Sequence, residues 1–388
     1  MIDQIHTDEV WSVMDVVVDE TVDAAASSAT TVGNSANGLI ATGDLEYDAV
    51  QQMYGKAFGK ANITGDAVTG AATATATTYG NASNSGTWMG SSYAYTDQTM
   101  NGDTKARTNV TLDSAGQLAT ASTAIANVTT TAVEFGDNMS FTEQASNGSV
   151  DAKSNILVGT IDHAGAVATT ATGNAISSTG STATSVQGAV QTTSAGGSIA
   201  ATSNVNVGYA DTLVTATTAS GNSYVLQNEW GYASLGREGS ELYQGNESTI
   251  DAQSWVTLDN WGGTAAVSSY GVGNSAVVSN IGSDTALHAI QSNFATVGSQ
   301  ASFTGESMTG GVATLNATAI GNAATATLCT VCGDAALTGT VSQFNSGSVY
   351  SVGTMNVPQA GIVVGSASAI GNSATFQSGN VSTGTGGD

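Results

Sequence analysis

The chain has 388 residues, of which 30 are acidic and 6 are basic, so its formal net charge is −24 at pH 7. Such an acidic chain repels a phosphate backbone, which argues against nucleic acid as a partner. Only 9% of the residues are charged and one is proline, whereas disordered chains are usually rich in charge and proline. The composition therefore favours a folded chain.

The first 48 residues carry ten carboxylates and no Lys or Arg. A stacked β-structure exposes unpaired strand edges at its ends, and charge there opposes end-to-end polymerisation. We interpret residues 1–27 as an acidic N-terminal cap or docking segment, with a solubilising segment as the alternative. We expect residues 28–379 to form the repeat region and residues 380–388 to form a flexible C-terminal tail.

A Gly-Asn step returns every 46 to 52 residues, with Ala replacing Gly once. Its members are Gly33-Asn34, Gly80-Asn81, Ala126-Asn127, Gly173-Asn174, Gly221-Asn222, Gly273-Asn274, Gly321-Asn322 and Gly371-Asn372. A glutamine keeps phase with it, at Gln52, Gln98, Gln144, Gln191, Gln244, Gln291 and Gln343. Two markers in phase indicate a repeat protein, with about seven repeats of roughly 47 residues.

A third polar marker follows the glutamine by 10 to 13 residues. It is an asparagine in five repeats and a serine in two: Asn62, Asn109, Asn155, Asn204, Ser254, Ser302 and Asn356. Small and β-branched residues dominate between the markers, and residues 69–78 alternate small apolar with hydroxyl side chains. This period of two is typical of a strand. We expect an all-β chain folded as an elongated β-solenoid.

The repeat could form one wide turn or two turns of about half its length, and we favour two because strands average about 6 residues. Gly and Asn tolerate positive φ, so we expect the Gly-Asn steps to form corners. We expect the Asn and Gln side chains to stack in rows, each amide bonding to its copy in the next turn.

No constellation of residues indicates catalysis. His6, His163 and His288 lie at unrelated positions of the repeat, and no Ser or Cys has a convincing base as a partner. We therefore predict that the protein is not an enzyme and has no cofactor and no metal site. Cys329 and Cys332 could form a local disulfide in an exported chain or stay as free thiols.

Three basic residues occupy equivalent positions in consecutive repeats, 8 or 9 residues after the glutamine: Lys60, Arg107 and Lys153. On a solenoid they would form a row on one face. Stacked like charges repel one another, so an anionic partner such as an acidic polysaccharide would stabilise the row. Pairing with nearby carboxylates is the alternative, and exposed pairs of that kind contribute little stability.

Aromatic residues gather in the repeat between Asn222 and Asn274, which also carries an insertion before Gln244. They are Tyr224, Trp230, Tyr232, Tyr243, Trp255, Trp261 and Tyr270. Insertions on solenoids form loops on one face, often the binding face, and flat aromatic rings suit sugars and protein partners. We predict Trp230, Trp255 and Trp261 as binding residues, with a packed aromatic cluster as the alternative.

Steps such as residues 317–323, Ala-Thr-Ala-Ile-Gly-Asn-Ala, separated by Gln- and Asn-marked strands, resemble bacterial surface proteins of the curli type. The chain is most similar to the holdfast anchor protein D family of stalked alphaproteobacteria. This resemblance implies an exported protein, associated with the cell surface or outer membrane, that helps to attach an adhesive polysaccharide to the envelope. The acidic start and the long repeat, about twice that of curlin, depart from the curli pattern.

Taken together, the residues and the resemblance predict a non-enzymatic surface anchor or adhesin. Its expected partners are an acidic polysaccharide and other surface anchor proteins or an outer-membrane secretion or anchor complex. A self-assembling fibre subunit of the functional-amyloid type is the first alternative, and a solenoid enzyme acting on polysaccharide is the second.

Overall fold

The computed structural model describes residues 1–307, 310–330 and 335–380, with Asn380 described by its backbone alone. These residues form strands and connecting turns and no α-helix, so none of them belongs to a helix that could span a membrane. The strands are β1 Ile2–His6, β2 Val10–Val18, β3 Ala25–Thr42, β4 Leu45–Met53, β5 Ala57–Met89, β6 Ser92–Met100, β7 Thr104–Ser146, β8 Val150–Ser181, β9 Ala183–Thr193, β10 Ser198–Glu229, β11 Ala233–Leu235, β12 Leu242–Asn246, β13 Thr249–Trp261, β14 Thr264–Ile281, β15 Thr285–Asn293, β16 Val297–Glu306, β17 Val312–Thr330, β18 Leu337–Asn345, β19 Val349–Asn356 and β20 Ile362–Asn380.

Each repeat makes one turn of a parallel β-solenoid. Gln98 lies directly beside Gln51 in the preceding coil and beside Gln144 in the following coil. The expectation of two turns per repeat is therefore wrong. It assumed strands of ordinary length, whereas strands such as β7, with 43 residues, continue around the corners of the coil without losing their pairing.

Each coil has three faces, which follow one another along the chain. In the third coil the Gln face is β6, the basic face is residues 104–112 and the Asn face is residues 118–133. Eight successive coils contribute to each face over the described residues, so the expected count of about seven repeats is not confirmed. At about 4.8 Å per coil, the stack is on the order of 40 Å long.

The acidic N-terminal segment is part of this stack. β1 pairs with β4, and β2 pairs with β5, in the same parallel register as later coils. The boundary expected at residue 27 falls inside β3, which runs from Ala25 to Thr42. Residues 1–27 therefore belong to the first coil, and the expected tail at 380–388 lies outside the described residues except for the backbone of Asn380.

The interior is narrow and built from small side chains. Inward and outward residues alternate along each strand, as in β9, where every second residue is buried. Rows of Ala, Val, Leu and Ile, together with Trp261 and Phe303, fill one core cluster between the basic and Asn faces, and alanines dominate a second. Close approach of three faces leaves room for few large groups, and interiors tolerate neither voids nor overlap.

The Asn of the Gly-Asn step forms a continuous amide row inside the solenoid. Asn127 is fully buried, and its Nδ2 donates to Oδ1 of Asn174 at 2.9 Å and to the carbonyl of Ala145 at 2.9 Å. The same pair of bonds is made from Asn34 through Asn322. Each Asn thus links its own coil to the next and ties the Asn face to the Gln face.

The glycine before this Asn is required by space and not by backbone conformation. No glycine of the row has a positive φ, so the expectation of a positive-φ corner is wrong. A Cβ at Gly221 would lie 2.4 Å from the carbonyl oxygen of Gly273 and 2.7 Å from Oδ1 of Asn246. Ala126 shows that one coil accommodates the extra methyl group, with the side chain fully buried.

A second internal row consists of glutamines on the Gln face. Nε2 of Gln98 donates to Oε1 of Gln51 at 2.8 Å and to the carbonyl of Val128 at 3.0 Å. The row includes Gln51 and not the expected Gln52, because a shift of one residue turns a strand side chain to the opposite face. Gln52 is not fully buried, and its Oε1 accepts a bond from the hydroxyl of Tyr54.

The third polar marker is an outward row on the basic face. Asn62, Asn109, Asn155 and Asn204 lie in register, as expected, and Ser302 continues their row. The prediction is wrong for two members of the row. Trp255 occupies the position expected for Ser254, and Thr354 occupies the position expected for Asn356.

We expect Gln144→Leu to destabilise the protein by about 1–3 kcal/mol, because it leaves buried partners without a bond. Nε2 of Gln144 donates to Oε1 of Gln98, and its own Oε1 accepts from Gln191. Urea unfolding followed by circular dichroism measures the change. Asn155→Ser, in the outward row, is the control and should cost clearly less; equal costs would contradict a special role for the internal row.

We expect Gly221→Ala to cost about 1–3 kcal/mol through overpacking. Gly196→Ala is the control, because a Cβ there would meet no atom within 4 Å. The same unfolding measurement distinguishes them, and a Gly221 variant as stable as the Gly196 variant would show that the coils can separate to admit the methyl group.

Candidate functional site

The three predicted basic residues form one row on the basic face. Lys60 pairs in register with Arg107, and Arg107 with Lys153. Their side chains alternate with buried residues and point outward, each partly exposed. The row is therefore a stripe of positive charge parallel to the solenoid axis, with one residue per coil over three coils.

Neutralisation of this stripe is incomplete. Nη2 of Arg107 lies 3.6 Å from Oδ2 of Asp151. Neither Lys60 nor Lys153 forms an ion pair within the described residues, although Lys56 and Lys105 do. Two of the three charges in the row are therefore not neutralised by an ion pair among the described residues, in a chain of strongly negative net charge.

The outward Asn row runs beside the basic row, two residues further along each strand. Nδ2 of Asn109 donates to Oδ1 of Asn62 at 2.7 Å, and Nδ2 of Asn155 donates to Oδ1 of Asn109 at 2.8 Å. Each amide uses one N–H in the row, so a second N–H is left for a ligand. The face therefore offers amide groups in one column and the cationic groups of Lys and Arg in a parallel column.

A shallow groove of about 400 Å³ lies along the Asn row, on the side away from the basic row, and Lys60, Arg107 and Lys153 do not line it. Its lining includes the amides of Asn109, Asn155 and Asn204, the apolar side chain of Leu157 and the indole of Trp255. Trp255 is 41% exposed and follows Asn204 in the same row. The predicted residues Lys60, Arg107, Lys153 and Trp255 thus share one face.

The other two predicted tryptophans lie elsewhere. Trp261 is fully buried and packs edge-on against Phe303, with ring centroids 5.3 Å apart. Its expected binding role is incompatible with that position, and the alternative of core packing describes it. Trp230 is 55% exposed, in the turn between the Asn and Gln faces, where its φ is 59° and its ring lies over Gly282.

Side chains with catalytic or ligating chemistry are scattered. Among the described residues, no group of three or more His, Cys, Asp and Glu lies close enough to hold a metal ion. Cys329 is partly buried, and Cys332 lies outside the described residues. The disulfide expected between them is therefore not described.

Sequence reasoning missed a group of exposed side chains on the Gln face, three aromatic and one methionine. Tyr93, Tyr95, Met139 and Phe141 point outward from β6 and the end of β7. A signal existed: both strands carry them five and three residues before the row glutamines Gln98 and Gln144. The residue types differ between coils, so the pattern is not visible as a repeated letter.

Two carboxylates on these faces have pKa values shifted in opposite directions. Burial raises the pKa of Asp97, and the adjacent Glu143 carboxylate adds to the effect. Burial also acts to raise the pKa of Asp103, but bonds from the Lys105 ammonium and the Ser149 amide, at 3.0 and 3.2 Å, hold it below its ordinary value.

These shifts predict stability changes of opposite sign. A raised pKa means that Asp97 costs stability as the pH rises through that pKa, so Asp97→Asn should raise the melting temperature at pH 7. A lowered pKa means that Asp103 contributes stability that is lost as the pH falls, so Asp103→Asn should lower the melting temperature at pH 7. Both differences should shrink towards pH 3, and shifts of the same sign at pH 7 would contradict this assignment.

Comparison with known proteins identifies one family. The sequence model of HfaD, described as Holdfast attachment protein D, matches residues 19–296. The matched stretch contains the basic row, most of the internal amide rows and Trp255. No curated protein and no solved structure matches the chain.

Proposed function

The chain belongs to the Holdfast attachment protein D family, and from this premise we propose that it is a non-enzymatic anchor that holds an adhesive polysaccharide to the bacterial envelope through its basic face. The family implies a role in holdfast attachment and a place at the cell surface. The polysaccharide, the face that binds it and secretion to the outer membrane are our proposals.

The basic row and the Asn row carry this proposal. A polysaccharide is a periodic chain of hydroxyl and, in acidic polymers, carboxylate groups. The basic face offers a periodic array of the complementary groups, with ammonium or guanidinium at Lys60, Arg107 and Lys153 and amides at Asn62, Asn109 and Asn155. Charge-assisted bonds to carboxylates are the stronger of these contacts.

Rigid spacing favours such a ligand. The three coils that carry the basic row repeat these groups at about 4.8 Å, and the internal amide rows hold the coils in register. A long polymer can therefore make many weak contacts at once, and simultaneous contacts raise the effective affinity without any single strong one. We assign no catalytic residue to this face.

Charge elsewhere in the chain supports an acidic ligand at this position. The net charge of −24 repels an anionic polymer from most of the surface and leaves the basic row as the attractive stripe. Long-range fields of this kind guide where a charged partner docks. Other surface anchor proteins or an outer-membrane secretion complex would hold the protein in the envelope at a different surface.

A triple variant, Lys60→Gln, Arg107→Gln and Lys153→Gln, tests this proposal. Loss of three exposed charge contacts should weaken binding to polygalacturonate about tenfold at low salt, and high salt should abolish most of the difference. Isothermal titration calorimetry measures both.

The control variant, Lys56→Gln with Arg237→Gln, removes two positive charges outside the row and should bind as the unmodified protein does. Equal affinity of the triple variant and the control would contradict the assignment of this face. Light scattering on the same samples tests the fibre alternative, for which the protein itself would form long polymers.

A further inference from the structure

The Gln face carries a second surface, which the polysaccharide proposal does not use. Tyr93, Met139 and Val186 lie in one outward row, and Tyr95, Phe141 and Gly188 in the next. Tyr95 and Phe141 are stacked with their ring planes 9° apart and their centroids 6.3 Å apart. A Cβ at Gly188 would lie 3.0 Å from the Phe141 ring, which therefore lies over the glycine. We call these residues the aromatic platform.

The insertion in the sixth coil forms a wall at one end of this platform. Residues 236–241 stand where the next coil has only His288. They form a tight loop, closed by backbone bonds between Arg237 and Ser240 and by positive φ angles at Gly236 and Gly239. Gly236, Arg237 and Ser240 line a pocket of about 490 Å³ together with the platform. The loop thus converts a flat face into a site with a closed end.

Carboxylates border the platform at the opposite end and along one side. Glu46 pairs in register with Tyr93, and Asp48 with Tyr95. In the next row Asp97 lies directly beside Glu143, whose Oε2 accepts a bond from the Tyr95 hydroxyl at 3.3 Å. Adjacent like charges destabilise a sheet, and no Lys or Arg among the described residues forms an ion pair with Asp97 or Glu143. Burial raises the pKa of Asp97, and the neighbouring Glu143 carboxylate raises it further.

We propose that the aromatic platform and its bordering carboxylates bind an arginine-bearing segment of a partner protein. A guanidinium stacks flat on aromatic faces and donates pairs of N–H bonds to carboxylates. The platform supplies the flat faces of Tyr95 and Phe141, and Asp97 and Glu143 supply acceptors at its edge. Their mutual repulsion ends when a cation binds between them.

Three features favour a protein over a sugar at this surface. Aromatic residues and Met are enriched at protein interfaces, and both occur here at Tyr93, Phe141 and Met139. The closed end made by the insertion suits a segment of defined length and not a long polymer. The chain's own Arg237 lies at the loop end, so a cationic ligand is directed to the carboxylate end, near Asp48 and Asp97.

Binding of short capped peptides tests the proposal on the full-length protein. The probes are the octapeptides (Gly-Arg)₄, (Gly-Lys)₄ and (Gly-citrulline)₄, the last with the shape of arginine but no charge. Tyrosine fluorescence and NMR shifts of the platform residues measure binding. We expect the arginine peptide to bind about fivefold more tightly than the lysine peptide, and the citrulline peptide not to bind detectably.

Two variants locate the site. Asp97→Asn with Glu143→Gln removes the charge and keeps the shape, and Phe141→Leu removes one ring; each should weaken arginine binding about fivefold or more. The triple variant of the basic face should bind the peptide unchanged, which separates this site from the polysaccharide site. Circular dichroism confirms that each variant is folded.

Three results would overturn the proposal: no binding of the arginine peptide, binding by both platform variants as tight as that by the unmodified protein, or tighter binding of a glucosamine oligomer than of the arginine peptide. The last would assign the platform to an amino sugar, because its ring and ammonium group would then satisfy the same aromatic faces and carboxylates. None of these results bears on the basic face.

Discussion

Hydrogen bonding between identical amide side chains of successive coils is the interaction on which this structure depends. A solenoid of Ala, Thr, Ser and Val buries little apolar surface per residue, so its register must be fixed by something other than large side chains. The Asn and Gln rows do so, because each amide bonds both to its neighbour in the row and to a carbonyl on the facing strand. A slip of one residue in any strand would break both bonds and turn a polar row outward.

The two rows also have opposite direction. Each Asn donates to the following coil, whereas each Gln donates to the preceding coil. The side-chain dipoles of the two rows therefore oppose one another along the axis. Both rows lie between the Asn and Gln faces and hold these two faces at a common spacing. The basic face belongs to the same coils, so the outward rows of Lys, Arg, Asn and aromatic side chains have the same spacing. On this fold, function depends on which residue types occupy the outward rows.

Much of this fold could be predicted from the sequence, because the spacing of the repeated Asn and Gln residues gives the register between coils. The all-β solenoid, the internal Asn row and the alignment of Lys60, Arg107 and Lys153 are confirmed, as is the family, although nothing in the comparisons supports the curli likeness. The number of turns per repeat could not be predicted, because strands that bend around corners are longer than ordinary ones. Gln51 points inward and Gln52 outward, and two adjacent glutamines give no sequence signal that tells which of them points inward. The aromatic platform could not be predicted because the residues of its rows differ in type from coil to coil. The wall could not be predicted because it depends on the shape of an inserted loop.

Side-chain amide hydrogen exchange, followed by NMR, tests the central role of the amide rows most directly. We predict that the side-chain amide protons of Asn127, Asn174, Gln98 and Gln144 exchange roughly a hundredfold more slowly than those of Gln52, which lies outside the rows, because exchange requires local opening of the coil. Comparable exchange rates for all five side chains would contradict the account, since the internal amides would then be open to water and could not hold the coils in register.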